Sequence, residues 1–286
     1  MDVKALLQRY ELHPRKRLGQ NFLSDRRVVQ KTLTTAEVGA EDVVLEIGSG
    51  LGILTQALAE QAQRVVAVEV DEHLVLILRE RLAPFPNVEI VQGDILSLDP
   101  AELAKAGYSA GYKVVANIPY YITSAVLRHL LEASARPQLI VLMVQKEVAQ
   151  RIVAQPGEMS LLAVSVQFYA QPRLAFRVPA SAFYPVPKVD SAVIRIDPRP
   201  QLPLPPKEIG PFFGVVRAGF AQRRKQLRNA LANGLSLPTA QVCQSMESAG
   251  IEAERRAQTL SVDEWVTLYR ALAVTGWQGA DPQRCT

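Results

Sequence analysis

The glycine-rich segment Gly-Ser-Gly-Leu-Gly at residues 48–52 constrains the fold more than any other feature of this sequence. It lies between a predicted strand at residues 42–47 and a helical pattern that begins near Ile53. Glycines let the backbone turn tightly and approach a ligand whose carboxylate or ribose lies beside the start of the helix. The pattern predicts an open α/β sheet with a ligand at the carboxyl end of this strand.

Two acidic residues follow the next predicted strands. The strand at residues 64–68 ends at Glu69, whose carboxylate is placed to accept hydrogen bonds from two ribose hydroxyls. The strand at residues 88–91 runs into Gly93 and Asp94, and Asp94 can accept from the amine of a cofactor adenine. Either acid alone is more often a helix cap or a loop residue. At successive strand ends, however, the glycine turn and both acids together predict an adenosine site.

An adenosine site fits both a nicotinamide cofactor and S-adenosylmethionine. A dinucleotide fingerprint would place a third glycine three positions after Gly50, where this chain has Ile53. The glycine spacing therefore favours S-adenosylmethionine, with S-adenosylhomocysteine as the product. The stretch after the fourth predicted strand decides between the two cofactors. It is suited to binding an amine, which hydride transfer does not require.

That stretch is Asn117-Ile118-Pro119-Tyr120, which follows the apolar run at residues 112–116. The amine of adenine is a poor nucleophile, and acceptors for its N–H groups would make it more reactive. The Asn117 side-chain oxygen and the Ile118 carbonyl can be those acceptors, while Pro119 fixes the backbone and adds no donor. Tyr120 offers a face on which a base can stack. Without the upstream features, a strand-ending turn explains the same residues.

The rest of the predicted sheet follows from shorter patterns. Helices are expected at residues 4–12, 26–36, 123–133 and 146–154, and strands at 138–144, 161–169, 173–178 and 191–196. A loop with two prolines, Pro185 and Pro187, precedes the last strand. A stiff loop would suit Phe183 as the second face of a base sandwich. Composition alone allows Phe183 equally well as a core aromatic.

A proline-rich segment at residues 198–206 predicts a domain boundary near residue 205. Helical patterns follow at residues 211–218, 222–232, 238–248 and 262–273. We therefore expect a catalytic domain with a basic N-terminal arm at 1–205, a smaller all-helical domain at 206–275, and a frayed tail at 276–286. Four basic residues open the second of these helices and are candidates for RNA binding: Arg223, Arg224, Lys225 and Arg228.

Composition bounds the class of protein. Hydrophobic residues make up 48% and charged residues 21% of the chain, with a net charge of +4. The apolar runs are too short to cross a bilayer, and two cysteines fit a reducing compartment, so a cytoplasmic protein without a metal site is expected. The basic residues cluster at 15–17, 26–27 and 223–228, as in nucleic-acid-binding proteins, although a solvated surface would look the same.

Taken together, these motifs closely resemble those of the ribosomal RNA adenine dimethyltransferases, the KsgA/RsmA family, over roughly residues 10–272. The resemblance implies a Rossmann-like S-adenosylmethionine-dependent methyltransferase sheet and a helical second domain. It also implies N6,N6-dimethylation of two adjacent adenosines near the 3′ end of small-subunit ribosomal RNA, late in subunit assembly. The cofactor contacts that it implies are Asn21, Leu23, Gly48, Glu69, Asp94 and Asn117. The motifs that carry it lie at residues 17–23, 46–52, 68–69, 93–94, 117–120, 145–148, 183–187 and 220–225.

Three other functions fit parts of the pattern. A related class of enzyme methylates an adenine of the large ribosomal subunit, but its second domain is typically shorter and lacks this basic helix pattern. A nicotinamide oxidoreductase is disfavoured by residues 117–120. An assembly factor that only checks ribosome maturation need not exclude catalysis. For the dimethyltransferase interpretation, the expected partner is the small ribosomal subunit and its RNA, no membrane is involved, and the protein is expected to be a monomer.

Overall fold

A computed structural model describes residues 3–15, 19–105, 111–222, 224–275 and 277. The chain divides into two compact units, Met1–Gln150 with Ala170–Pro198, and Arg151–Tyr169 with Arg199–Thr286. The prolines predict a boundary near residue 205, but the second unit also takes up residues 151–169 and 199–205. The expected tail at 276–286 lies outside the described residues except for Trp277.

The regular elements alternate strand and helix in the first unit and are almost all helical in the second. In chain order they are α1 Val3–Arg9, β1 Phe22–Leu23, α2 Arg26–Ala36, β2 Val43–Ile47, α3 Ile53–Ala59, β3 Arg64–Glu69, α4 Glu72–Leu82, β4 Val88–Gln92, α5 Pro100–Lys105, β5 Lys113–Asn117, α6 Thr123–Leu131, β6 Leu139–Gln145, α7 Lys146–Ile152, α8 Leu161–Tyr169, β7 Ala170–Val178, β8 Phe183–Tyr184, β9 Ser191–Pro198, α9 Pro206–Phe220, α10 Leu227–Leu235, α11 Thr239–Ser248 and α12 Val262–Val274.

The first unit is built on a seven-stranded sheet with the order β4-β3-β2-β5-β6-β9-β7. Strands β4, β3, β2, β5 and β6 pair in parallel, and β9 runs antiparallel between β6 and β7. The chain moves outward from β2 to β4 on one side and then returns to place β5 on the other side of β2. Ligands bind at such a reversal of strand order, outside the carboxyl ends of the strands.

The sequence explains why these segments pack as they do. Strand β2 is buried along its whole length, as expected of a parallel strand covered on both faces. Helix α2 begins at its cap Asp25, whose side chain accepts from the Arg27 N–H at 2.8 Å. Leu33, on the buried face of α2, is 1% exposed and packs in the core under the sheet. Replacing such a leucine by alanine typically costs about 2–5 kcal/mol.

The second unit contains α8 to α12 around an aromatic core. Phe168 of α8 stacks on Phe212 of α9 with a centroid distance of 4.8 Å, and Phe213 meets Phe168 edge-on at 5.3 Å. Tyr269 of α12 lies 5.9 Å from Phe212. Helix α12 starts with a capping box between Ser261 and Glu264, which pairs donors and acceptors at the helix start.

Two expectations for this unit were wrong. Residues 161–169 form helix α8, not a strand, because a nine-residue apolar run carries no period that separates a buried helix from a buried strand. Helix α10 begins at Leu227, so Arg224 and Lys225 lie in the turn before it. Gln226, its cap residue, has extended backbone angles and therefore stands outside the helix.

No helix of the described residues is long and apolar enough to span a membrane.

Candidate functional site

A cavity of about 240 Å³ lies in the first unit at the carboxyl ends of β2, β3, β4 and β5, where the strand order reverses. The structure brings to it all six residues that the resemblance implies as cofactor contacts, together with Ile118, Pro119 and Tyr120. The N-terminal segment at residues 19–23 forms a further part of its wall. The complete lining is residues 19–23, 46–51, 53, 54, 68–70, 74, 93–95 and 117–122.

The glycine turn between β2 and α3 forms part of the cavity wall. Gly48 and Gly50 have φ angles of 72° and 58°, in the left-handed region that side chains disfavour. A Cβ atom at Gly50 would lie only 3.3 Å from Cδ1 of Phe22, so the turn also packs closely against the N-terminal segment. The backbone angle favours glycine at both positions, and the close approach of Phe22 adds to this at Gly50.

Glu69 ends β3 and is 6% exposed. Its Oε1 accepts from the N–H groups of Val70 (2.9 Å) and Asp71 (3.0 Å), and its Oε2 accepts from the Gly50 N–H at 2.8 Å. Burial raises the pKa of Glu69, and these backbone N–H groups oppose that rise. A carboxylate has about four acceptor positions. Three are used here, so a position on Oε2 is left for a ligand hydroxyl.

Asp94 lies directly after β4, on the cavity wall. Its Oδ1 accepts from the Leu96 N–H at 3.0 Å and caps the 3₁₀ helix Ile95–Ser97. The capping role and the ligand-binding role considered from sequence are therefore compatible. One oxygen holds the turn, while Oδ2 accepts no hydrogen bond from the described residues and is available to a ligand amine.

Asn117 is the last residue of β5 and touches the N-terminal segment. Its Nδ2 donates to the backbone carbonyl of Asn21 over 3.4 Å, and the Asn21 side chain in turn donates to the Gly19 carbonyl at 3.1 Å. With Nδ2 used in this way, Oδ1 of Asn117 is the atom left to accept, and none of the described residues donates to it. A free acceptor oxygen at this position is what binding the amine of an adenine requires.

Tyr120 is half-buried at the edge of the cavity, and its hydroxyl lies 2.7 Å from Oγ of Ser191. Burial raises the pKa of Tyr120, and the hydrogen bond with Ser191 opposes that rise. The phenol thus remains neutral near pH 7, and the ring is held by its far end. Tyr121, which also lines the cavity, is 65% exposed.

Phe183 does not reach the cavity. It is 2% exposed and packs in the core cluster with Val28, Val29 and Leu33, while its backbone pairs with Leu23 in the two-stranded β1–β8 sheet. The prediction of a second stacking face at Phe183 is therefore not supported by this arrangement, because a buried ring would first have to leave the core.

Three polar residues of the site were not singled out from sequence. Glu46 on β2 lines the cavity and is 1% exposed; burial raises its pKa to about 7, although the nearby Thr55 and Ser49 hydroxyls favour its ionised form. Its Oε2 has no partner in hydrogen-bonding geometry among the described residues. Asp71 and Gln20 hydrogen-bond to one another beside the cavity. The sequence did contain one signal for Glu46, because an acidic residue inside a strand that is otherwise apolar often belongs to a functional site.

The predicted RNA-binding residues belong to the second unit. Arg223 lies outside the described residues. Arg224 and Lys225 are exposed, and Nη1 of Arg228 lies 3.3 Å from Oε1 of Glu254, which partly neutralises its charge. Among the residues that the structure describes, no group of three or more His, Cys, Asp and Glu side chains is arranged to hold a metal ion.

The antiparallel entry of β9 beside β6 distinguishes this sheet from an all-parallel dinucleotide-binding sheet and places the fold among the Rossmann-like methyltransferases. Residues 12–274 match the family model described as ribosomal RNA adenine dimethylase. The chain belongs to this family.

Individual relatives agree with this membership. The ribosomal RNA small subunit methyltransferase A of Dehalococcoides mccartyi (strain ATCC BAA-2266 / KCTC 15142 / 195) is 48% identical over 267 residues, 93% of this chain and 91% of the relative. The crystal structure of a dimethyladenosine transferase from Plasmodium falciparum superposes with a TM-score of 0.77 at 25% identity, covering 90% of this chain and 98% of that one. The 23S rRNA methyltransferase ErmE gives 0.72 at 30% identity, with 88% and 100% covered.

Proposed function

We propose that this protein transfers methyl groups from S-adenosylmethionine to N6 of two adjacent adenosines near the 3′ end of 16S ribosomal RNA, giving N6,N6-dimethyladenosine during ribosome biogenesis. The observation that carries the proposal is that residues 117–120 line the same cavity as Glu69 and Asp94. An amine-gripping stretch remote from the adenosine site could not bring the two reactants together.

The residues present fit this cofactor. The free acceptor position on Glu69 suits a ribose hydroxyl, Oδ2 of Asp94 suits the adenine amine, and the glycine turn lets the ligand approach the backbone at Gly48. Asn21 and Leu23 complete the wall from the N-terminal segment. When bound, S-adenosylmethionine supplies a methyl group that is already activated by a positively charged sulfur.

The target adenine is held by residues 117–120. Oδ1 of Asn117 and the Ile118 carbonyl accept from its amine, Pro119 contributes no competing donor, and Tyr120 supplies a stacking face. Positioning of this kind can supply about 7–11 kcal/mol. No strong general base is needed, because the proton on the methylated amine becomes acidic only after the transfer.

Base extrusion sets a limit on this arrangement. Flipping a base out of its stack costs a few kcal/mol, and one aromatic face returns about 1–3 kcal/mol. With Phe183 buried, Tyr120 alone leaves part of that free energy to be supplied elsewhere. Tyr121 is the exposed ring on the cavity wall that can make a second contact with the RNA.

RNA binding outside the cavity is assigned to the basic residues. Arg223, Arg224 and Lys225 are proposed to contact phosphates, with Arg228 weakened in this role by Glu254. The proposed partner is the small ribosomal subunit, bound by a monomeric cytoplasmic enzyme. The relative named ribosomal RNA small subunit methyltransferase A, 48% identical over 93% of this chain, supports the small subunit as substrate.

The decisive experiment incubates the protein and labelled S-adenosylmethionine with unmethylated small subunits, and separately with large subunits, followed by nucleoside analysis. We expect label in N6,N6-dimethyladenosine from the small subunit. Label from large-subunit RNA alone would establish the rival rRNA methylase. Binding to immature small subunits without any label would leave an assembly factor without catalysis. Quenching by NADH and not by S-adenosylhomocysteine would indicate an oxidoreductase.

A further inference from the structure

Asp71 is a buried carboxylate placed two residues after Glu69, and its two oxygens face different partners. It caps helix α4, with Oδ1 accepting from the His73 N–H at 3.1 Å. Its Oδ2 accepts from Nε2 of Gln20 at 3.0 Å and lies 3.3 Å from Nη1 of Arg15. Only 3% of the Asp71 side chain is exposed, whereas the Arg15 side chain is 50% exposed.

The Gln20 side chain links the N-terminal segment to the Asp71 carboxylate. While its Nε2 donates to Asp71, its Oε1 accepts from the backbone N–H of Arg15 at 2.7 Å. One side-chain amide therefore fastens both Arg15 and Gln20 at the β3 side of the cavity. A hydrogen bond to a buried charge is about twice as strong as one between neutral groups.

The next residue reaches the opposite wall. The Asn21 carbonyl accepts from Nδ2 of Asn117, at the end of β5. Residues 20 and 21 thus connect to the two sides of the cavity in turn, and the segment between these contacts belongs to its wall. Displacing Gln20 from Asp71 would loosen this wall of the cavity.

We propose that Asp71 is a positioning residue that latches the segment at residues 19–23 across the cofactor cavity, and so sets how long a bound nucleoside cofactor is retained. The inference rests on the proposed function, since it requires S-adenosylmethionine in this cavity. Asp71 acts through Gln20 and Arg15. Its own backbone N–H donates to Glu69, which joins the latch to the carboxylate that faces the ligand.

The division between the two oxygens permits a selective variant. Asp71→Asn keeps an acceptor for the His73 N–H, because asparagine caps helices as well as aspartate. In that orientation the asparagine presents its NH₂ group to Nε2 of Gln20 and Nη1 of Arg15, and both of these nitrogens are donors. Gln20→Ala removes the same contact from the other side. The matched control is Glu80→Gln on the same helix, which weakens the contacts of Arg9 and Tyr10 (3.1 and 3.0 Å) away from the cavity.

The test is a chase experiment that measures the dissociation rate of labelled S-adenosylhomocysteine, combined with thermal midpoints. We expect Asp71→Asn and Gln20→Ala each to raise the rate about tenfold, as for loss of one charge-assisted hydrogen bond. The double variant should be no faster than either single one, and Glu80→Gln should resemble the wild type. Thermal midpoints of the two single variants should fall by no more than the loss of one hydrogen bond accounts for, which separates a latch from a folding defect.

Two results would overturn the latch. In one, Gln20→Ala and Asp71→Asn dissociate within about twofold of the wild type, a free-energy difference too small for the lost bond. In the other, Glu80→Gln accelerates release as much as Asp71→Asn, which would mean that general docking of the N-terminal segment matters and not this contact. A wild-type protein that binds neither S-adenosylmethionine nor S-adenosylhomocysteine would instead overturn the proposed cofactor.

Discussion

The Tyr120 hydroxyl and the Ser191 hydroxyl lie 2.7 Å apart, and this contact fixes the aromatic ring at the edge of the cavity. Ser191 is fully buried at the start of β9, so the anchor is rigid. The ring is joined to the sheet at both ends, through the backbone after β5 and through its phenol to β9.

We predict that Ser191→Ala lowers kcat/KM for RNA about two- to tenfold, the range expected for one neutral hydrogen bond. Tyr120→Phe should have a similar effect because it removes the other partner of the same bond. Steady-state kinetics of both variants and of the double variant would show non-additive losses. Fully additive losses, or a parallel loss of S-adenosylmethionine affinity, would contradict an anchoring role.

Asn117→Ala removes the acceptor proposed for the target amine while leaving Glu69 and Asp94 in place. We expect kcat to fall at least about 100-fold, as for loss of one preorganised polar group at a reacting atom. Cofactor affinity by calorimetry should stay within about twofold, since the Nδ2 contact to the Asn21 carbonyl is long. Unaltered turnover would refute the amine-gripping role.

Glu69→Ala should weaken cofactor binding roughly 10- to 100-fold, the equivalent of one hydrogen bond to a charged group. It also leaves the N–H groups of Gly50, Val70 and Asp71 without their acceptor, so the thermal midpoint should fall as well. Calorimetry with S-adenosylhomocysteine measures the first effect. Glu60→Ala, which replaces the exposed acid just after α3, is the control, and normal affinity of Glu69→Ala would remove Glu69 from the site.

Glu46 predicts a pH dependence of stability. Burial raises its pKa from 4.5 to about 7, so the folded state binds its proton more tightly than the unfolded state does. The stability from this group is full below pH 4.5 and is lost as the pH rises to about 7. Glu46→Gln should therefore stabilise the protein above that pH by on the order of 3 kcal/mol.

The check on Glu46 is a pair of thermal unfolding series, wild type and Glu46→Gln, between about pH 5 and pH 8. The difference between the two midpoints should grow with pH. A difference that is constant across the range would mean that Glu46 is ionised in the folded protein throughout.

Changing Arg223, Arg224 and Lys225 together to alanine should weaken RNA binding and flatten its salt dependence. Three lost phosphate contacts lower the slope of log affinity against log salt by about 2 to 3. Filter binding at several salt concentrations measures it. A control in which the exposed residues Arg79, Arg128 and Lys207 are replaced removes the same charge elsewhere, and an equal change in both variants would show only a general charge effect.

The sequence predicts most of the first unit because its signals are local. Strand β2, the glycine turn and helix α2 with its Asp25 cap each depend on neighbouring residues, and each lies where the pattern places it. Helix α8 was missed because burial on several sides removes the amphipathic period that identifies a helix. Its packing on α9 is a long-range contact that no local pattern reports.

The site shows the same contrast. Glu69, Asp94 and Asn117 follow predicted strands, and parallel strands bring their carboxyl ends to one edge. Phe183 was misjudged because composition does not say whether an aromatic ring on a stiff loop turns toward solvent or the core. Asp71 escaped notice because a helix cap already explains an aspartate at that position, and its contact with Gln20 spans 51 residues.

The three peptide N–H groups on Glu69 have a consequence for turnover. The carboxylate that we propose to face the ribose is already held in place before any donor molecule arrives, so its ordering adds no penalty to binding. An enzyme that methylates one nitrogen twice has to exchange its spent donor between rounds. A carboxylate that stays ordered between rounds is ready for the next donor without rearrangement.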